Sequence, residues 1–201
     1  MFDLKVFSRL SLLGLLVLFT GCATVQSSDE RDPYESYNRA MYQFNDTVDR
    51  AVLKPVAKGY DVVVPDAISW GVSNFFSNLN DITVAINSLL QGKFSQAADD
   101  TGRFLLNSTV GVAGIFDVAG HAGNKKRNED FGQTLGAWGA EPGAYIVLPF
   151  FGPRTVRDSF GLVGDMFTDP VMYVEGPGAR NAFAGTRLVD TRANLLKSER
   201  V

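Results

Sequence analysis

The chain has 201 residues, 45% of them hydrophobic, with 15 phenylalanines, 20 glycines, one cysteine and a formal charge of −3. The size fits one domain with its own core. The slight acidity excludes a broad basic surface for nucleic acid, and a lone cysteine excludes an internal disulfide.

Residues 1–21 have the layout of a bacterial secretory signal. Lys5 and Arg9 precede an apolar run at 10–19 that is too short to span a bilayer, and Phe19-Thr20-Gly21-Cys22 closes it. A cysteine placed there reads as a lipoprotein site, so Cys22 is expected to carry acyl chains. Each buried methylene of such chains adds about 0.8 kcal/mol to membrane anchoring. Residue 23 is alanine, which points to the outer rather than the inner membrane. Without residues 1–21 the formal charge is −4, from 17 basic and 21 acidic residues. Residues 22–32 hold the lipidated cysteine and a short polar tether, and residues 33–201 form the domain.

Asp32-Pro33 predicts a helix start, with a helix over 33–52 whose apolar positions, Tyr34, Tyr37, Met41, Phe44, Val48 and Val52, recur close to the i, i+3/4 spacing. Pro55 and Pro65 are expected to break the chain around a short helix at 56–63. The next helix, 67–92, has Asp81 as its only charge. One side carries Ile68, Trp70, Phe75, Phe76 and Leu79; the other carries Ser69, Ser73, Asn74, Asn78, Asn80 and Asn87. An uncharged polar side fits a helix lying shallowly in lipid or lining a wet passage, and a helix buried all round is the plainer alternative. A further helix spans 93–108. Its adjacent Asp99 and Asp100 point in different directions and read as solvated. Residues 109–123 form an irregular packed segment, and residues 124–130 (NKKRNED) form a water-facing loop.

A short helix at 131–138 leads into an unusual stretch. From 131 to 153 the only charge is Glu141. Tyr145-Ile146-Val147-Leu148-Pro149-Phe150-Phe151 is bulky and apolar without alternation, and Gly139, Pro142, Gly143, Gly152 and Pro153 bracket it. Pro149 would remove a donor from a central strand. The expectation is a stiff, kinked hairpin that either plugs a core or lines an apolar passage. Pro153 is then read as starting a helix to 167, Asp169-Pro170 as ending it, and a last helix runs from 179. The class is all-α.

Enzyme chemistry finds little support. There is no GxSxG, P-loop or GxGxxG after a strand. His121, the single histidine, has no nucleophile in a recognisable setting, and with one cysteine it cannot build a zinc site. No metal or cofactor is expected.

Several phrases together resemble the VacJ/MlaA lipoprotein family. They are Asp32-Pro33-Tyr34-Glu35 with Asn38-Arg39 and Phe44-Asn45; Lys54-Pro55-Val56-Ala57 with Tyr60; Val72-Ser73-Asn74-Phe75-Phe76-Ser77-Asn78-Leu79; Asn87 with Leu90-Gln91-Gly92-Lys93; Arg103-Phe104 with Asn107-Ser108-Thr109; Asp130-Phe131-Gly132-Gln133-Thr134-Leu135-Gly136; Val147-Leu148-Pro149 with Gly152-Pro153; and Val189-Asp190-Thr191-Arg192. The resemblance implies a helical ring in the inner leaflet of the outer membrane of a Gram-negative bacterium, with an amphipathic central channel. It implies removal of glycerophospholipids misplaced in the outer leaflet, transfer to a periplasmic lipid carrier that feeds an inner-membrane ABC complex, and association with a trimeric porin, without catalysis. The hairpin at 139–153 would border the channel, and Trp70, Asn74, Phe75, Phe76 and Leu79 would lie in lipid or along the channel. A structural porin-associated lipoprotein without transport is the alternative. Family members usually continue past 189–201 with another helical segment, so a shortened C-terminal end is expected here.

Overall fold

The structure is a computed structural model and describes residues 32–199. The expected signal segment, Cys22 and the tether up to residue 31 lie outside the described residues. The elements are α1 (Glu35–Val48), a π-helical turn (Asp49–Leu53), α2 (Lys54–Val63), α3 (Asp66–Leu90), α4 (Phe94–Thr109), α5 (Val118–His121), α6 (Phe131–Ala137), strands β1 (Tyr145–Leu148) and β2 (Gly152–Thr155), α7 (Val156–Thr168), a 3-10 turn (Pro170–Tyr173) and α8 (Pro177–Ser198). The protein is therefore mostly helical, as its periodicity indicates, and the apolar stretch forms a two-stranded antiparallel hairpin.

The first helix starts later than expected. Asp32 Oδ1 accepts from Tyr34 N at 3.3 Å and from Asn38 Nδ2 at 2.8 Å, and regular helix begins at Glu35. Pro55 does not break the chain. It sits at the second position of α2, directly after the π-helical turn. Proline lacks an N–H and clashes with the carbonyl four residues back, here Ala51 in that turn; the wider turn gives the ring room. The α1–α2 arm then docks on α8. Ala57, Ala193 and Leu196 form a small apolar cluster with Tyr60 against it. Arg192 grips Asp49 with two parallel bonds, Nε to Oδ1 at 2.7 Å and Nη2 to Oδ2 at 2.9 Å, and these hold the Asp49 carboxyl below its ordinary range.

The centre of the molecule is polar. Among the described residues twelve polar or charged side chains are buried against nine apolar ones. Most of the Ser/Asn side of α3 turns inward and is bonded there, while Asn80 stays exposed. Asn78 Nδ2 donates to Ser108 Oγ at 2.8 Å, Ser88 Oγ to Asp100 Oδ2 at 3.1 Å, and Thr134 Oγ1 to Asn87 Oδ1 at 2.7 Å. Asp81 is 1% exposed; it pairs with Arg103 Nε at 3.1 Å and with Lys126. Arg103 also donates to Asp117 Oδ1 at 2.7 Å and to the Asn124 carbonyl at 2.6 Å. Burial pushes the Asp81 carboxyl up and the Lys126 ammonium down, while their mutual attraction opposes both shifts.

Two expectations fail here for one reason. Asp100 is not solvated: it is 1% exposed and takes a bond from Arg127 Nη1 at 3.2 Å. The charge run at 124–130 is not simply water-facing, because Lys126 reaches in to Asp81 and Glu129 accepts from Lys93, Gln91 and Gln96. A polar interior recruits charges that an apolar core would exclude.

Many large apolar side chains also stand on the outside. Ile68, Trp70, Leu89, Phe94, Leu105, Val110 and Phe116 are each more than half exposed. No helix among the described residues is long and apolar enough to cross a membrane.

Candidate functional site

Helices α3 and α8 cross at an aromatic cluster. The ring centroids of Phe75 and Phe76 lie 5.3 Å apart, and Phe183 from α8 lies 6.1 Å from Phe75 and 6.4 Å from Phe76. The α3 positions 68, 71, 72 and 75 recur at helical spacing and build one wall of a groove of about 610 Å³. Ile115 and Phe183 help line it, and no charged side chain does. On the opposite flank of α8 lies a second groove of about 420 Å³, lined by Ser73, Ser77, Asn80, Arg187, Thr191 and Asn194 among others. Phe76 belongs to both. The apolar and polar grooves thus meet at one buried ring, and together they suit a molecule with both kinds of surface.

The hairpin stands elsewhere. Its register pairs Tyr145 with Thr155 and Leu148 with Gly152, leaving residues 149–151 as the loop. Pro149 therefore lies in the turn, where its missing donor breaks no ladder bond. Pro153 falls within β2 and starts no helix; α7 begins at Val156, capped by the Thr155 hydroxyl, which accepts from Asp158 N at 3.1 Å. Two glycines with left-handed backbone, Gly143 (φ +69°) and Gly152 (φ +74°), bound the hairpin, and Phe150 holds φ +67° at its tip. Its base is tied to α7 by Val156 N to the Ala144 carbonyl and Arg157 N to the Pro142 carbonyl, both 3.0 Å.

The free edge of β1 is bonded to α1 by two asparagines seven residues apart. Asn38 Nδ2 donates to the Tyr145 carbonyl at 3.2 Å, and Asn38 Oδ1 accepts from Val147 N at 2.8 Å. Asn45 repeats the arrangement: Nδ2 to the Leu148 carbonyl at 3.0 Å, and Phe150 N to Oδ1 at 2.7 Å. Phe44 meets Phe150 edge-on at 5.2 Å. These side chains imitate a third strand, and α1 and the hairpin form one bonded unit. Val147 is buried; Tyr145, Phe150 and Phe151 are exposed, and Leu148 is half-buried.

The residues expected to act together fall into two groups. Phe75 and Phe76 line the α3–α8 groove. Asn74 donates to the Ile115 carbonyl at 3.0 Å and fixes the groove's third wall, Leu79 is half-buried, and Trp70 is exposed on the outer side. Gly139, Pro142, Gly143, Tyr145, Leu148, Pro149, Phe150, Gly152 and Pro153 belong to the separate hairpin. Tyr145 and Val147 line an open groove of about 720 Å³ with Asn38, Arg39 and Tyr42. His121 is exposed, with Nδ1 2.7 Å from the Asp117 carbonyl. Among the described residues no group of His, Cys, Asp and Glu is placed to hold a metal ion. Asn38 and Asn45 stand in the sequence within the family phrases but without an assigned role, and Arg187 stands outside those phrases. The seven-residue spacing places the asparagines on one helix face and was a usable signal; Arg187 carried none.

A polar interior, large apolar side chains on the outside, and an apolar and a polar groove that share one ring define a class: a mostly helical scaffold with amphipathic surfaces. The chain belongs to the MlaA lipoprotein family, whose model matches residues 30–201. It is 37% identical over 198 residues to the Escherichia coli K12 "Intermembrane phospholipid transport system lipoprotein MlaA", covering 95% of this chain and 78% of that one. The Haemophilus influenzae protein of the same description is 35% identical over 204 residues, covering 97% and 81%. A Rickettsia felis protein is 37% identical over 143 residues, 71% of this chain, and the match spans only 57% of that relative's length. A solved structure described as "Structural basis for maintenance of bacterial outer membrane lipid asymmetry" superposes with a TM-score of 0.71 at 34% identity, covering 83% of this chain and 85% of that one.

Proposed function

We propose that this protein is a non-enzymatic phospholipid-transport lipoprotein that helps keep the outer membrane asymmetric. In this reading it withdraws glycerophospholipids misplaced in the outer leaflet and passes them to a periplasmic lipid carrier. It is anchored through acylated Cys22, lies as a ring in the inner leaflet and sits beside a trimeric porin. The observation that carries the reading is the groove pair at Phe76, apolar on one side and polar on the other. A phospholipid crosses a bilayer slowly because its head must enter hydrocarbon, where unsatisfied polar groups cost several kcal/mol each. A protein that gives the tails an apolar wall and the head a polar one lowers that barrier without a chemical step. The exposed apolar side chains support a lipid setting, since among the described residues Trp70, Leu89, Phe94 and Phe116 are each more than half exposed and hydrocarbon would cover them. The Escherichia coli and Haemophilus influenzae relatives, described as phospholipid-transport lipoproteins, point the same way.

The hairpin, from Gly139 to Pro153, is assigned the wall of the passage that changes its opening. Gly143 and Gly152 supply its turning points, and Tyr145, Leu148, Pro149 and Phe150 its surface.

The test is reconstitution of the full lipidated chain with a trimeric porin and the carrier, following labelled phospholipid. Transfer that depends on this protein is expected. Porin binding without transfer would instead make it a scaffold. Free fatty acid release, abolished by His121→Ala, would make it a lipase.

A further inference from the structure

The transport reading requires a place for the lipid phosphate. Arg187 is the one cationic side chain lining the polar groove. A guanidinium carries five N–H donors. Among the described residues this one meets a single acceptor, Nη2 donating to Asp169 Oδ2 at 2.6 Å. Asp169 is itself fixed, because it caps the 3-10 turn and its Oδ1 accepts from Val171 N at 3.1 Å. The guanidinium is thus held at one corner, with its remaining donors free.

The acid in the groove does not compete for them. Asp190 is 4% exposed and already accepts from Tyr60 Oη at 3.2 Å, Ser73 Oγ at 2.8 Å and Asn194 Nδ2 at 3.2 Å. These three neutral donors occupy its acceptor positions. Asn80 and Thr191 are exposed on the same groove and add neutral polar groups.

We propose that Arg187, held by Asp169, binds the phosphate diester of a glycerophospholipid whose acyl chain lies across Phe76 in the apolar groove. The assignment rests on the transport reading. A planar fork fits the two free oxygens of a phosphate diester with paired, charge-assisted bonds. A single cation without a second one nearby suits a monoanionic diester and makes no use of extra charge on the head. The site therefore takes zwitterionic and anionic glycerophospholipids alike.

The test measures binding to the purified full chain. Dihexanoyl phosphatidylcholine and dihexanoyl phosphatidylglycerol carry both parts of the ligand. Dihexanoylglycerol lacks the phosphate, and inorganic phosphate lacks the chains. The two phospholipids are expected to bind within a few-fold of each other, and R187Q to weaken both by about tenfold or more. Dihexanoylglycerol should bind R187Q and wild type equally. R187K and D169N, which keep a cation, should each show a smaller loss and serve where R187Q folds poorly. Unchanged phospholipid affinity in R187Q, or in both R187K and D169N, overturns the Arg187 assignment and leaves transport standing. Inorganic phosphate binding as tightly as the phospholipids overturns it in favour of a free-phosphate site. A wild-type protein that binds no phospholipid overturns both.

Discussion

The α3–α4 block and the hairpin are held together by opposite means. In the block, buried charges are paired: Asp81 with Arg103 and Lys126, Asp100 with Arg127, Asp117 with Arg103. In the hairpin the ties are neutral backbone bonds to Asn38 and Asn45, and only Val147 is fully buried. A buried charge pair leaves an uncompensated charge when it opens, so it resists partial opening. Neutral bonds leave no uncompensated charge when they open, and the Asn45 ties near the hairpin's tip are partly open to water. The block is therefore expected to be rigid and the hairpin adjustable, and substitutions in each separate the two.

The largest effect is expected from the block. Asp81→Ala leaves half-buried Lys126 without its carboxylate and Arg103 with Asp117 alone, and should destabilise the fold by about 3–5 kcal/mol, read by denaturant unfolding. A loss below about 1 kcal/mol would mean that water already enters the α3–α4 interface.

Next comes the clasp. Asn38→Ala removes both partners of β1 at Tyr145 and Val147, at about 1–3 kcal/mol. Hydrogen exchange should accelerate at the Val147 amide and stay unchanged at Val84 in α3. Equal acceleration at both would merge the two regions into one cooperative unit.

The glycines follow. Gly143→Val forces a β-branched residue to φ +69° with Val156 Cβ 3.2 Å from the new Cβ, whereas Gly152→Val meets open space and only backbone strain. Each costs about 1–3 kcal/mol of strain, with Gly143 the worse. Lipid transfer should change in both while circular dichroism does not. Wild-type transfer in both would make the hairpin simple packing.

The smallest effect concerns pH. Burial raises the Asp165 carboxyl, although Phe131 N and Asn87 donate to it. A raised folded value means a charged-state penalty above that value, relieved as pH falls toward the ordinary carboxylate range. Asp165→Asn keeps an acceptor and should flatten that acid-side gain in melting temperature without lowering stability at pH 7.

Much of the architecture was legible from spacing alone. The α3 periodicity, the short α6 and the Gly/Pro-bounded hairpin follow from residue pattern, because each is a local choice. The direction of the α3 polar side was not. Ser and Asn are compatible with lipid, water or a bonded interior, and only the partners on α4 and α6 decide among them. Asp100 and Lys126 were misread because surface charge is the usual state, and a polar core inverts it. Pro55 was misread because a π-helical turn leaves no composition signal. Arg187 lay hidden because its role comes from Asp169, eighteen positions away, and from a groove that exists only once α3 and α8 cross.

A phospholipid bound as proposed lies across Phe76 with its chain on one flank of α8 and its head on the other. Photo-crosslinking with two probes tests it directly, one phospholipid carrying a diazirine at the chain terminus and one carrying it on the head. The account predicts chain-probe adducts on Phe75, Ile115 and Phe183, and head-probe adducts on Asn80, Thr191 and Asn194. Adducts from both probes spread over Trp70, Phe94 and Phe116, with none in either groove, would contradict it.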